Sequence, residues 1–513
     1  MSRTSGLDVP VQIELNTERG APTLSEQIAH QLRSSIATGV LRADDRLPAI
    51  RSLATRLSVA RATVDTAYAQ LIAEGYLDAR RGSGTWVAQH LPERSVLIAS
   101  GRSTARGQIS TDTPDAESTP ASPDAALFTR PLSARAQWLA EVSSVLLPQK
   151  QAPLAIIAPS EEMSPGKAWT QIANRLGRTP WRHAGYGEPK GYLPLRQAVA
   201  QYARKFRGVV CDADRVIITS GSQQAMTLCT QVLLQEGDLA WVEDPCYALM
   251  AATIKNCGVR TVPVPVDAHG LDVAAGVALA PDAKAAFVTP SHQFPLGMMM
   301  TMPRRTELLA WAQRTQGWII EDDYDSELRY EGRPFPSLQG MDDTSESVIY
   351  LGTFSKMLFP GLRLGYAIVP RQLVDAFAGA RLLADRYSSE AVQATLAEYI
   401  ERGHYDIHVR RVRGLMHKRR QVLIDECDRL LHAFGSVVPC DQGMHVVFAL
   451  NDNIDDVTVA NRIRARGVEL RAISPFYVRQ PASRGFMLGF GGFTPQAIKA
   501  AVGVVYEELG RSV

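Results

Sequence analysis

The residues best suited to chemistry lie in the run Leu351-Gly-Thr-Phe-Ser-Lys356-Met-Leu-Phe-Pro-Gly-Leu-Arg363-Leu-Gly-Tyr366, where one lysine sits among small and hydroxyl residues, seven positions before an arginine. A buried lysine can form an imine with an aldehyde cofactor. Gly352, Thr353 and Ser355 would leave room around the amine and offer hydroxyls, and Arg363 can hold a phosphate through its planar fork of donors. This is the chemistry pyridoxal phosphate needs. The same run also suits an ordinary loop lysine, so the other partners of such a cofactor have to be found elsewhere in the chain.

Three further stretches offer them. Ser220-Gly221-Ser222-Gln223 is a small-residue turn entering a helix, and the free N–H groups of Gly221, Ser222 and Gln223, with the helix dipole and the Ser222 hydroxyl, make an anion cradle. Tyr247, after Glu243-Asp-Pro-Cys, offers a flat surface for an aromatic ring. Glu321-Asp322-Asp323-Tyr324-Asp325 clusters carboxylates that are costly to bury unless a cation joins them. Asp322 is assigned to a pyridinium N–H and Tyr324 to the ring hydroxyl. Taken singly, each has a plainer reading: a packing turn, a core tyrosine, a solvated acidic turn. A metal site is disfavoured, because no histidine or further carboxylate cluster follows at ligand spacing.

These stretches follow apolar segments that must position them: Val216–Thr219, Leu239–Val242, Thr261–Val264, Ala285–Thr289, Trp318–Glu321, Ser347–Leu351 and Gly365–Val369. Continuous apolar strands alternating with helical segments predict a mostly parallel sheet covered on both faces, with chemistry at the carboxyl ends of the strands.

A chain of 513 residues, 45% hydrophobic and 21% charged, is long enough for one large domain and a smaller one. Its formal charge of +2 names no partner, so a nucleic-acid site would have to be a local patch. The cysteines (Cys211, Cys229, Cys246, Cys257, Cys427, Cys440) are scattered without a CxxC pair, which indicates neither a disulfide framework nor zinc. No basic-then-apolar leader opens the chain and no apolar run reaches about 18 residues without charge, so a cytoplasmic protein with no membrane contact is expected.

The local patch is found near the N-terminus, after a short segment 1–22. Leu24, Ile28, Leu32 and Ile36 draw an apolar stripe down a helix ending near Gly39. Pro48 opens a second helix, and Ser58-Val59-Ala60 leads to a third over Arg61–Glu74 with Val64, Ala67, Tyr68, Leu71 and Ile72 inward. Tyr76 to Val87 reads as two strands around a glycine turn. The whole, over 23–89, is a winged helix-turn-helix. Arg51, Arg61, Thr63, Arg80 and Arg81 lie at ends or faces the apolar pattern leaves free, where such a module touches bases and phosphates. A protein-interaction module with solvated arginines would share the helical pattern. Residues 90–135, rich in Ser, Thr, Pro, Gly and Ala, read as a flexible linker with an r.m.s. span on the order of 35 Å.

Leu47-Pro-Ala-Ile-Arg51-Ser-Leu-Ala, Val59-Ala-Arg61-Ala-Thr63-Val64, Leu71-Ile-Ala-Glu74-Gly-Tyr-Leu77 and Gly82-Ser-Gly-Thr85 resemble the DNA-binding domain of the GntR family. The resemblance implies DNA contacts from Arg51, Arg61 and Thr63 and a wing tip that approaches the minor groove at Gly84. Asp65 departs from it where some members carry a basic residue.

Residues 136–513 resemble the fold-type I, class I aminotransferases, an α/β PLP-dependent transferase fold. Tyr186-Gly-Glu-Pro-Lys-Gly191-Tyr-Leu-Pro-Leu-Arg196 adds to the likeness, implying that Tyr186 reaches the neighbouring subunit's phosphate. Joined to a GntR-like domain, and with Thr289-Pro-Ser-His-Gln-Phe294-Pro-Leu-Gly297, the match is to MocR/GabR-type transcriptional regulators. Two departures stand out. Phe294 replaces the asparagine that bonds the ring hydroxyl, which leaves that task to Tyr324 or His292. Met487 replaces the arginine that pairs the substrate carboxylate, with Arg471 and Arg484 as candidate substitutes.

The expected function is that of a domain-swapped homodimer that binds a double-stranded DNA operator and holds pyridoxal phosphate on Lys356. It would sense a small amine, an amino acid or the cofactor itself, with half-transamination left open. The alternatives are a metabolic aminotransferase and a regulator that has lost its cofactor.

Overall fold

The computed structural model describes residues 13–16, 21–80, 83–89, 91, 131–145, 150–156, 160–179, 185–332, 335–342, 346–451 and 454–511. The chain divides into two compact units, Met1–Phe128 and Thr129–Val513.

In the first unit α1 (Leu24–Ala37) opens with a reciprocal cap: Thr23 Oγ1 accepts from the Glu26 N–H, and the Glu26 carboxylate accepts from the Thr23 N–H at 2.8 Å. α2 (Ile50–Leu57) ends at Ser58 in the left-handed region, φ 54°, which turns the chain into α3 (Arg61–Ala73). Ile28, Leu32 and Ile36 pack with Leu53, Val64, Ala67, Tyr68 and Leu71 into one core, and the Tyr68 hydroxyl donates to Pro48 O at 2.9 Å. Ile72, predicted to face inward, is 37% exposed. It follows Leu71, and one residue's rotation of about 100° carries it off the buried stripe. β1 (Leu77–Arg80) and β2 (Gly84–Val87) pair antiparallel as the wing. Arg33 clamps Glu74 with two donors, tying α1 to the end of α3.

The second unit is built on an eight-stranded sheet of β3 (Val216–Thr219), β4 (Leu239–Asp244), β5 (Arg260–Asp267), β6 (Gly270–Leu271), β7 (Ala285–Val288), β8 (Trp318–Asp323), β9 (Val348–Thr353) and β10 (Gly365–Ile368). Their order is β3-β10-β9-β8-β7-β4-β5-β6, parallel from β9 through β5, with β10 antiparallel to both β3 and β9. Both faces are apolar. Ile217, Val242, Phe287 and Ile320 pack with Ala225, Met226 and Cys229 of the helix Ser222–Leu233. Trp241, Ala286, Val288 and Ile319 pack with Leu308 and Trp311 of the helix Met302–Thr315, Trp241 stacking on Trp311 at 4.2 Å.

A smaller antiparallel sheet of β11 (Gly435–Val437), β12 (His445–Leu450), β13 (Arg471–Ala472) and β14 (Gly485–Gly489) has the order β11-β12-β14-β13. Its ladder sets Arg471 opposite Met487.

Gly352, expected to make room for the lysine, has another task. A Cβ there would lie 2.3 Å from Tyr366 Cζ, so the missing side chain admits the Tyr366 ring across the β9–β10 pair. Among the described residues, no helix is long and apolar enough to cross a membrane.

Candidate functional site

The carboxyl end of the parallel strands opens into a cavity of about 390 Å³ lined by, among others, Lys356, Asp322, Tyr324, Tyr247, Ser222 and Arg471. Residues more than a hundred positions apart in sequence thus share one wall.

Strand alternation sorts the acidic run. Glu321 and Asp323 point to one face of β8 and are absorbed by structure: Glu321 accepts from the N–H groups of Leu338 and Gln339, and Asp323 pairs with Arg207 at 2.6 Å. Asp322 points the other way, into the cavity. Its Oδ1 is buried and, among the described residues, has no hydrogen-bond partner. Burial first, then the charge of Asp323, pushes its carboxyl up to about 7. A cationic N–H donor arriving at that oxygen would satisfy it and restore the ionised form.

Lys356 follows β9 by three residues, and its amine lies 6.0 Å from the centre of the Tyr324 ring. Burial lowers its pKa from the ordinary lysine value, against the pull of Asp325 and Asp322. Thr353 is spent locally, its Oγ1 accepting from Ser355 N–H at 3.2 Å.

The turn expected at Gly221 does enter a helix. Gly221, φ 97°, is the N-cap of the helix Ser222–Leu233, and no described side chain caps that helix, so its first-turn N–H groups remain available. A Cβ at Gly221 would lie 3.6 Å from Arg363 Nη1, which places the guanidinium against the turn. Arg363 itself holds φ 52°, an uncommon conformation for a non-glycine residue. Gln223 turns its amide to Thr253 instead. An uncapped helix start and an unsatisfied carboxylate in the cavity of one lysine, with the exposed Arg363 guanidinium beside the Gly221 turn, fit pyridoxal phosphate: Ser222, the turn N–H groups and Arg363 would hold the phosphate, Asp322 the ring nitrogen and Tyr247 the ring face.

Phe294 fills its part of the wall with hydrocarbon, meeting Tyr247, Tyr324, His445 and Phe476 edge-on with centroids 5.6 to 6.2 Å away. Tyr324 gives its hydroxyl to neither Phe294 nor a carboxylate in the cavity; it lies 2.9 Å from His292 Nδ1. That nitrogen also lies 2.8 Å from Asp325 Oδ2, so a single Nδ1–H is shared between carboxylate and phenol. The buried Met487 packs with Ile156, Leu296, Val447 and Ile473. Arg471, its cross-strand neighbour, brings a guanidinium to the cavity, whereas Arg484 is exposed and does not line it. Tyr186 is 84% exposed, under the Arg386 guanidinium, and does not line the cavity either. Ile156, Leu249, Thr289, Met444, His445 and Phe476 join the wall without having been expected. His445 opens β12 of the small sheet and Met444 immediately precedes it, and no local pattern marks them.

In the first unit Arg51 and Arg61 are exposed near the starts of α2 and α3, and Thr63 is half-buried with its N–H bonded to Ala60 O. Gly84 opens β2 at φ 101° beside Arg46. Arg80 is committed to Asp44 and to the Trp86 ring. Arg81 lies outside the described residues.

Among the described residues no cluster of His, Cys, Asp and Glu could hold a metal ion. Residues 162–503 match the family described as aminotransferase class I and II, and residues 24–87 match the bacterial regulatory proteins of the gntR family. The chain is 35% identical to the probable rhizopine catabolism regulatory protein MocR of Rhizobium meliloti, over 93% of this chain and 92% of that one. It is 30% identical to the pyridoxine biosynthesis transcriptional regulator PdxR of Corynebacterium glutamicum over 96% of each. Among solved structures, the multiple substrate aminotransferase from Thermococcus profundus superposes with a TM-score of 0.66 at 27% identity, over 74% of this chain and 98% of that one. These two relatives, which span both units, are regulators, and the fold of the second unit is that of PLP-dependent aminotransferases. The chain therefore belongs to the MocR/GabR-type transcriptional regulators, in which a GntR-family helix-turn-helix is joined to an aminotransferase-like domain.

Proposed function

We propose that this regulator binds pyridoxal phosphate through Lys356 and uses the cavity to sense a small amine or amino acid, changing its hold on a double-stranded operator in the cytoplasm. The observation that carries the reading is the unpartnered Asp322 Oδ1 in the same cavity as Lys356. When bound, the cofactor supplies an aldehyde carbon for amines and a ring that accepts electrons. The protein's own groups do the rest. Asp322 would hold the ring nitrogen's proton, the Ser222 turn and Arg363 would hold the phosphate, and Tyr324, fixed by His292, would serve the ring hydroxyl. Lys356, with its lowered pKa, gives up a proton more readily than a solvated lysine and so can exchange with an incoming amine.

Arg471 is the proposed carboxylate contact, and Ile156, Leu249, Phe294, Met444 and Phe476 favour an effector with a compact apolar body. Residues 23–89 serve as the DNA reader, 90–135 as the linker and 136–513 as the sensor. Exposure of Tyr186, Leu193, Leu382 and Leu383 supports a homodimer in which Tyr186 completes the partner's phosphate site; exchange of readers between protomers goes with it. Arg51, Arg61, Thr63, Arg81 and the Gly84 wing make the DNA contacts.

Absorbance titration with pyridoxal phosphate tests the reading. The native protein should develop a visible band that borohydride fixes to Lys356, and Lys356→Ala should not. A native protein without the band would contradict it.

A further inference from the structure

Outside the cavity, the least explained group is Cys440, in the connection from β11 to β12. Its thiol donates to Gly297 O at 2.9 Å, with Gln442 O 3.4 Å away as a second acceptor, and the residue keeps partial exposure. His292 lies beside it. The imidazole is 1% exposed, its Nδ1–H is taken by Asp325 and Tyr324, and its Nε2 has no hydrogen-bond partner among the described residues. A Cβ on Gly297 would lie 3.4 Å from that Nε2 and 3.5 Å from the Cys440 sulfur, so both groups border the same gap. Gly443, φ 88°, clears the other side of the ring: a Cβ there would lie 2.1 Å from His292 Cε1. Two glycines and a carboxylate thus hold the imidazole with its unused nitrogen on the gap that the sulfur also borders, a pairing of groups that can activate a thiol.

We propose that Cys440 is a modification site, a thiolate held against the His292 imidazolium for reaction with peroxides. The sulfur attacks one peroxide oxygen and the O–O bond breaks. A sulfenic acid remains on Cys440, and the departing hydroxide or alkoxide takes the His292 proton to leave as water or an alcohol. The sulfur is oxidised and the peroxide reduced, with no further reactant.

The electrostatics agree. Burial tends to raise the Cys440 thiol, as does Asp325, but the His292 charge outweighs them and brings the thiol below its ordinary value. Burial likewise opposes protonation of His292, and Asp325 overrides it, raising that group well above its usual range. His445, packed 5.3 Å from His292, is pushed down to about 3 by burial, by His292 and more weakly by Lys356, so it stays neutral. Arg420 donates to the Cys440 carbonyl and adds a positive charge nearby. By contrast, burial drives Cys211 up to about 11 and Cys246 and Cys427 up to about 12, and it raises Cys229 and Cys257 as well.

Mass-spectrometric alkylation of the full-length protein with iodoacetamide at pH 6.5 and 8.5 tests this, with Cys257, also partly exposed, as internal reference. An ordinary thiol loses about fifty-fold in rate over that interval, and Cys440 should lose clearly less than that and less than Cys257. Hydrogen peroxide should block Cys440 about tenfold faster than Cys257 and leave a dimedone-reactive product. His292→Gln, with folding checked by circular dichroism, should return Cys440 to the ordinary pH profile. A fifty-fold loss at Cys440, no labelling of Cys440 in the folded protein, or an unchanged profile in His292→Gln would overturn the assignment.

Discussion

Arg471 and Met487 sit directly opposite each other on β13 and β14, and Met487 is wholly buried while Arg471 reaches the cavity. A cross-strand pair in register presents both side chains on one face. In the proposed role of Arg471, the guanidinium that Met487 does not supply comes from the neighbouring strand, one strand spacing away, about 5 Å. The carboxylate of an effector is expected to lie correspondingly shifted relative to that of an aminotransferase substrate.

Arg471→Gln should weaken binding of an amino-acid effector by about 1.5–3 kcal/mol, roughly tenfold or more, while leaving a carboxylate-free amine nearly unaffected. Arg484→Gln should change neither. Calorimetric titration with matched pairs, an amino acid and its decarboxylated amine, separates the two outcomes.

The cofactor-free protein should reveal Asp322 through pH. Its folded pKa, pushed up to about 7 by burial, exceeds the ordinary carboxylate value, so the protonated side chain favours the fold. That contribution is complete below about pH 4 and is lost as pH rises through about 7. Asp322→Asn abolishes it. The stability of the native protein relative to Asp322→Asn, from urea unfolding, should fall between pH 5 and 7 by up to about 1.4 kcal/mol per pH unit. A difference independent of pH would contradict the placement of this carboxylate.

On the DNA side, Arg51→Ala and Arg61→Ala should each cost about 1–3 kcal/mol of operator affinity if they read bases, or lower the salt slope by about 1 if they hold phosphates. Both residues are exposed, so the melting temperature should hardly move. Tyr68→Phe is the converse control: it removes the buried bond to Pro48 O and should cost about 1 kcal/mol of stability.

Much of the site is legible along the chain because it is built at strand ends. Asp322, Tyr324, Ser222, Tyr247 and Lys356 each follow an apolar strand, and the parallel sheet brings those ends together. What is not legible depends on registers between distant segments. His445 enters from the small sheet with Met444 just before it, and Arg471 is distinguished from Arg484 only by the β13–β14 pairing. Gly352 is misread from sequence because a glycine signals close approach without saying of what; Tyr366 is the answer. In the acidic run, period-2 alternation separates Asp322 from Asp323, but only the structure supplies the Arg207 partner that takes Asp323 out of the chemistry.

In the proposed mechanism the chemistry of Lys356 governs the grip on DNA. The most direct test is an operator-binding titration of full-length protein, native and Lys356→Ala, with and without pyridoxal phosphate and a panel of amines. For the native protein, cofactor or amine should shift the operator Kd by about fivefold or more, a coupling of about 1 kcal/mol, and Lys356→Ala should bind the operator with no such shift. Superimposable curves for the native protein under every condition, or an undiminished shift in Lys356→Ala, would contradict it.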